Sequence, residues 1–156
     1  MIKIAIVDDE EQTREQILRT LKDNILEQYE VEIKLYASGE SFFEEIQKGE
    51  AADILFTDIQ MQQLDGVELG KLVRRLCPDM YIVFITSYEE YAAESYRIEA
   101  YQYILKQDPE FRLWSTVVHT LKVSDTPKRV LTTVHHIKQI PIEMLLCLFS
   151  SSSLLF

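Results

Sequence analysis

The chain has 156 residues and a formal net charge of −10, with 47% hydrophobic and 27% charged side chains. That length and apolar content suit one soluble globular domain, or a domain plus a fragment, able to bury a core. The acidic balance argues against a protein that coats nucleic acid through general charge, and no apolar run approaches the ~20 residues a membrane span needs. The charge is unevenly spread: residues 1–112 hold 12 Lys/Arg against 24 Asp/Glu, whereas residues 113–156 hold 4 against 2 and all three histidines. Cys77 and Cys147 stand far apart without C-x-x-C spacing. Reduced thiols in a cytoplasmic protein are therefore expected, rather than a disulfide or a zinc site. The N-terminal apolar run is short and meets three acids by residue 10, which is not the pattern of a signal peptide.

In chain order, Ile2–Val7 is almost wholly apolar and reads as a strand buried on both faces. Glu10 to Tyr29 reads as a helix, with Ile17, Leu18, Leu21, Ile25 and Leu26 at helical spacing and Arg14, Glu15, Arg19 and Lys22 on its other faces. Val31–Tyr36 alternates Val31, Ile33 and Leu35 with Glu32, Lys34 and Tyr36, so one side is wetter and an edge position is expected. Ser38-Gly39-Glu40-Ser41 is a turn and cap, and Phe42, Phe43 and Ile46 form a short helix stopped at Gly49. Asp53–Thr57 is the next buried strand. Asp65-Gly66 leads into a helix through Val67, Leu69, Leu72, Val73 and Leu76 that Pro78 halts. Tyr81–Ile85 is a strand ending in Thr86-Ser87, Glu89–Tyr96 a tyrosine-rich helix, and Tyr101–Leu105 a short strand ending at Lys106. Asp108 and Pro109 open a last helix as cap and first residue.

Strand and helix thus alternate five times over about 122 residues, which predicts a parallel sheet with right-handed crossovers and helices on both faces. In such sheets the site lies beyond the carboxyl ends of the strands, where strand order reverses. Asp8 and Asp9 follow the first strand, Asp58 the third, Thr86 closes the fourth and Lys106 follows the fifth. Three converging carboxylates repel unless a cation joins them. With no His or Cys beside them, oxygen ligation of Mg²⁺ is expected. Carboxylates, Mg²⁺, a hydroxyl and a lysine are parts that phosphoryl transfer uses, and a carboxylate can itself be the nucleophile. Asp58 is the best placed for that role. Each residue also has a plainer reading: Asp8 and Asp9 as helix caps, Thr86 bonding its own backbone, the tyrosines as packing and partner surface.

Ile6-Val7-Asp8-Asp9-Glu10, Leu55-Phe56-Thr57-Asp58-Ile59-Gln60-Met61, Leu64-Asp65-Gly66, Phe84-Ile85-Thr86-Ser87 and Tyr103-Ile104-Leu105-Lys106 resemble the receiver domain of two-component response regulators, over residues 1 to about 122. The resemblance implies a flavodoxin-like (CheY-like) doubly wound sheet of strand order 2-1-3-4-5. It implies Asp58 as the residue phosphorylated by a sensor histidine kinase, and Mg²⁺ held by Asp8, Asp9, Asp58 and the backbone carbonyl of Gln60. It further implies that Thr86 moves toward the phosphoryl group, Lys106 pairs with it, and Tyr103 is an aromatic switch. The face of the fourth helix, fifth strand and fifth helix would serve a homodimer. Such a chain is no enzyme beyond its own phosphotransfer and slow dephosphorylation. Two positions depart from the family: Gln62 stands where proline is usual after Met61, and Gln107 follows Lys106 where a cis proline is usual. A cis bond before a non-proline residue costs about 2.5–4 kcal/mol, so a trans bond and a shifted following loop are expected.

Residues 123–129 are polar, contain Pro127 and read as a linker. Residues 130–156 read as an incomplete β-rich segment, and Ile137-Lys-Gln-Ile-Pro-Ile-Glu-Met-Leu within them resembles the opening of a LytTR-type DNA-binding domain. That segment is shorter than the ~40 residues at which an unstapled domain stands alone, so a truncated output domain is expected and DNA binding only if it were complete. Three alternatives remain: DNA contact through the tail, a receiver used as a binding module without phosphorylation, and an aspartyl-nucleophile phosphatase. The last would want a carboxylate at Gln60, two residues past Asp58.

Overall fold

The computed structural model describes residues 1–25 and 29–107. The elements are β1 (Ile2–Val7), α1 (Glu11–Ile25), β2 (Val31–Tyr36), α2 (Gly39–Gln47), β3 (Ile54–Thr57), α3 (Gly66–Leu76), β4 (Tyr81–Thr86), α4 (Ala92–Arg97) and β5 (Gln102–Leu105). All neighbouring strands pair in parallel, in the order β2-β1-β3-β4-β5. This is the flavodoxin-like sheet expected, with the order reversing between β1 and β3.

Period-two alternation splits the strand residues between two cores. Ile4, Ile6, Ile54, Phe56, Val83, Ile85 and Ile104 pack with Ile17 and Leu21 of α1 on one face. Ala5, Val7, Leu55, Ile82 and Phe84 pack on the other with Phe42 and Ile46 of α2, Val67, Leu69 and Val73 of α3, and Ile98. The inner strands are apolar along most of their length, Lys3, Thr57 and Thr86 apart, because both faces are covered. The edge strand β2 differs from its expected pattern: Tyr36 turns inward, its ring 5.1 Å from that of Phe42, while Leu35 is left 41% exposed. Tyr36 shares its side of the sheet with α2, and an aromatic ring closes that end of the core better than the polar role alternation assigned it.

Helix boundaries follow local chemistry. The Ser38 side chain caps α2 by accepting from the Ser41 amide at 3.2 Å, and Gly49 ends the turn at φ +87°. Asp65 caps α3 through the Glu68 amide at 2.8 Å. Helix α4 begins at Ala92 rather than Glu89: the Ala92 amide closes a tighter turn onto the Glu89 carbonyl at 3.2 Å, while the Tyr88 carbonyl accepts from the Tyr103 hydroxyl. Tyr29 lies outside α1 and packs against its core. At the far end, the half-buried Arg74 of α3 donates to the carbonyls of Ile98, Pro78, Met80 and Glu99, fastening the end of α4 to α3.

Glu99 adopts φ +56°, a left-handed conformation that side chains with a Cβ resist. Glu99→Gly is expected to raise stability by about 0.5 kcal/mol, the relief of strain being partly offset by a freer unfolded chain. A urea midpoint below wild type would contradict this. The Lys106–Gln107 bond is trans, since no cis bond occurs among the described residues. The shifted loop, last helix, linker and C-terminal segment expected from the sequence, with Cys147 and the histidines, lie outside those residues.

Candidate functional site

Strand register brings the acids together. Val7 pairs with Thr57, so the next residues, Asp8 and Asp58, leave the sheet side by side, and the Asp58 amide donates to the Val7 carbonyl at 3.0 Å. Both acids are buried, while Asp9 is exposed, and one carboxylate oxygen from each of the three lies within 4.8 Å of the others. Local hydrogen bonds set the carboxylates: Asp8 Oδ1 accepts from the Glu10 amide at 2.9 Å, and Asp58 Oδ1 from the Ile59 amide at 2.6 Å.

Lys106 arrives from the next strands over. Thr86 pairs with Leu105, the Lys106 amide donates to the Thr86 carbonyl at 2.8 Å, and the side chain then crosses the pocket. Its Nζ lies 2.7 Å from Asp58 Oδ2, 3.0 Å from Asp8 Oδ2 and 3.6 Å from Glu10 Oε2. Burial works against the ammonium, but the hydrogen bonds to Asp58 and Asp8 outweigh it and hold the Lys106 pKa above that of an ordinary lysine. Burial pushes the Asp8 carboxyl above the usual range, with the Glu10 amide and Lys106 opposing it. Lys106→Met leaves two buried acids facing each other. It is expected to cost about 2 kcal/mol at neutral pH, less than a fully buried pair because the lysine is partly exposed. Millimolar Mg²⁺ narrows the deficit in denaturant titrations; a deficit that Mg²⁺ leaves unchanged counts against a shared cation pocket.

The pocket suits a hard divalent cation. Its donors are all oxygens: three clustered carboxylates beside one ammonium, that of Lys106, which pairs with Asp58 Oδ2 at 2.7 Å and Asp8 Oδ2 at 3.0 Å. The negative charge left over is costly in a buried cluster unless a further cation joins it. Asp8, Asp9 and Asp58 are the side chains that would hold the ion. Gln60, whose carbonyl the resemblance adds, lies in the exposed loop two residues beyond Asp58.

Thr86 and Tyr103 are joined through a neighbour instead. The buried Thr86 accepts from the Tyr88 amide at 3.4 Å, and the Tyr103 hydroxyl donates to the Tyr88 carbonyl. Burial pushes the Tyr103 hydroxyl up, so it stays protonated and a donor at neutral pH. Its ring sits half-buried, 6.4 Å from that of Phe84.

Three further residues shape the site. Arg14, assigned only to an outer helix face, donates to the Asp8 carbonyl at 2.6 Å. Glu40, read as part of a cap, accepts from the Leu64 amide in the loop after Asp58. Gly66 lies against the Asp58 backbone, where a Cβ would come within 1.9 Å of the Asp58 carbonyl oxygen. Two of them carry a signal in the sequence: Gly66 stands in the Leu64-Asp65-Gly66 block, and Arg14 is a cation in the first turn of a helix, where it opposes the helix dipole.

Comparison with known proteins agrees with this geometry. The family model described as response regulator receiver domain matches residues 4–117. The sensory transduction protein LytT of Bacillus anthracis is 35% identical over 123 residues, which are 78% of this chain and 46% of that protein. The transcriptional regulatory protein BtsR of Escherichia coli is 37% identical over 119 residues, 75% of this chain and 47% of that protein. The chain thus spans about half the length of these relatives. The crystal structure of the response regulatory domain of mrkE from Klebsiella pneumoniae superposes with a TM-score of 0.72 at 27% identity, covering 80% of this chain and 98% of that one. That of TrrA from Thermotoga maritima, in complex with Mg²⁺-BeF, gives 0.67 at 26%, covering 77% and 99%. No helix among the described residues is long and apolar enough to cross a membrane. The order of the sheet, the acids at its switch point and these matches lead to one assignment: the chain belongs to the response regulator receiver domain family of two-component systems.

Proposed function

We propose that this chain accepts a phosphoryl group on Asp58 from a histidine kinase and passes the change to its α4–β5 face. The observation that carries the reading is the contact of Lys106 Nζ with both Asp58 and Asp8, in a pocket where three carboxylates cluster. An Asp58 carboxylate oxygen attacks phosphorus, a P–O bond forms, the P–N bond of the phosphohistidine breaks, and the imidazole nitrogen keeps the electron pair. Asp8, Asp9, Asp58 and the Gln60 carbonyl would hold Mg²⁺, and the bound ion would supply positive charge to the transferring oxygens. Lys106 balances the negative charge as it moves from donor to acceptor. Thr86 shifts its hydroxyl toward the phosphoryl oxygens and so releases the Tyr88 amide. That change loosens Tyr103, whose hydroxyl binds the same residue, and remodels the tyrosine-rich surface.

Residues 1–122 act as the receiver, 123–129 as a linker, and 130–156 as the start of a LytTR-type output segment. Among the relatives, BtsR is named a transcriptional regulatory protein, which supports transcription control through DNA binding by the whole protein, with homodimerisation through the face of α4, β5 and the following helix. The direct test of the switch is phosphoramidate with Mg²⁺. The chain is expected to gain the mass of one phosphoryl group, to lose it in alkali, and to gain none in EDTA. No gain at millimolar Mg²⁺ and excess donor would defeat the reading.

A further inference from the structure

We propose that Arg14 is a positioning residue for the acidic pocket: its guanidinium fixes the Asp8–Asp9 peptide and thereby sets the affinity for the divalent cation. This deepens the reading above and rests on it. The chain leaves β1 at Val7 and enters α1 at Glu11, so the acids sit on a three-residue turn. Asp8 is held at its amide by the Tyr36 carbonyl at 3.2 Å and at Oδ1 by the Glu10 amide at 2.9 Å. Neither bond fixes the plane of the peptide that follows. Arg14 does, because Nη1 donates at 2.6 Å to the Asp8 carbonyl, and that carbonyl belongs to the peptide carrying Asp9. Asp9 is the exposed member of the cluster. Its Cα is carried by that peptide, so the peptide's orientation sets where the carboxylate can reach.

Helix stability does not explain the residue. Arg14 is the fourth residue of α1, where a cation opposes the helix dipole. Its ammonium-bearing counterpart, Lys106, contacts carboxylate oxygens, whereas the Arg14 contact is to backbone. Outer-sphere groups of this kind orient metal ligands, and their loss commonly weakens binding by 10- to 100-fold.

The sign of the effect separates positioning from simple charge. Removing a cation beside an acidic pocket should strengthen Mg²⁺ binding if Coulomb repulsion were its only influence. Freeing the peptide should weaken it. Mg²⁺ is titrated into the full chain and followed by the amide NMR shifts of Asp9 and Asp58, for wild type, Arg14→Met and Arg14→Lys. We expect Arg14→Met to raise the Kd about tenfold, Arg14→Lys to restore part of the loss, and the metal-free thermal midpoints to stay close together. Arg14→Met binding as tightly as wild type, or more tightly, overturns the proposal alone. A wild-type chain that shows no Mg²⁺-dependent shifts overturns the functional reading and this proposal with it.

Discussion

Asp58→Asn should abolish phosphoryl uptake while leaving the fold within about 1 kcal/mol of wild type. The amide is no nucleophile at neutral pH, so the loss should be complete rather than graded. The structural cost is small for three reasons visible in the pocket. The amide oxygen still accepts from Ile59 N, as Oδ1 does now at 2.6 Å. Lys106 keeps Asp8 as partner at 3.0 Å. One of two adjacent buried carboxylates loses its charge, which relieves repulsion as the ion pair is lost. Phosphoramidate labelling read by intact mass, beside a urea titration, checks both halves. Labelling of the variant to the wild-type extent would sink Asp58 as acceptor; unfolding of the variant would show that the carboxylate is structural.

Gly66→Ala should be the most damaging single methyl in the described chain, at about 3 kcal/mol or more of the roughly 5–15 kcal/mol that hold such a domain folded. Gly66 is the first residue of α3, and its amide donates to the Ile59 carbonyl at 2.8 Å. A Cβ there would lie 1.9 Å from the Asp58 carbonyl oxygen and 2.8 Å from its carbon. Those atoms are backbone at the end of a central strand and cannot swing aside. The variant must push α3 away from the sheet or pull Asp58 out of register, so slower labelling should accompany lower stability. Gly70→Ala is the control: its Cβ would meet only the Ile98 and Phe84 side chains, at 3.2 Å. A Gly66→Ala midpoint no lower than that of Gly70→Ala would refute the argument.

Much of the architecture was legible because it rests on periodicity. Apolar runs such as Ile54–Thr57 and Tyr81–Thr86 declare strands covered on both faces, and the acids or hydroxyls that close them mark the sheet edge where a site collects. Boundaries were less legible where tertiary bonds compete with helical ones. The Glu89–Tyr96 pattern is helical, yet the Ala92 amide turns onto the Glu89 carbonyl while Tyr103 holds the Tyr88 carbonyl, and the helix starts at Ala92. Tyr36 was misplaced for a similar reason, since alternation cannot foresee that Phe42 offers its ring a partner.

By itself, then, the sequence determined the alternating fold and the residue types at the strand ends, because hydrophobic period and local capping act over a few neighbours. Tertiary structure alone decided which of those residues touch. Lys106 meets Asp58 across 48 residues of chain, and Gly66 meets the Asp58 carbonyl, because strand register and crossover packing set those distances. Arg14 gained its place the same way: its helical position says only that it is near the N-terminus of α1, while the turn after β1 brings the Asp8 carbonyl within its reach.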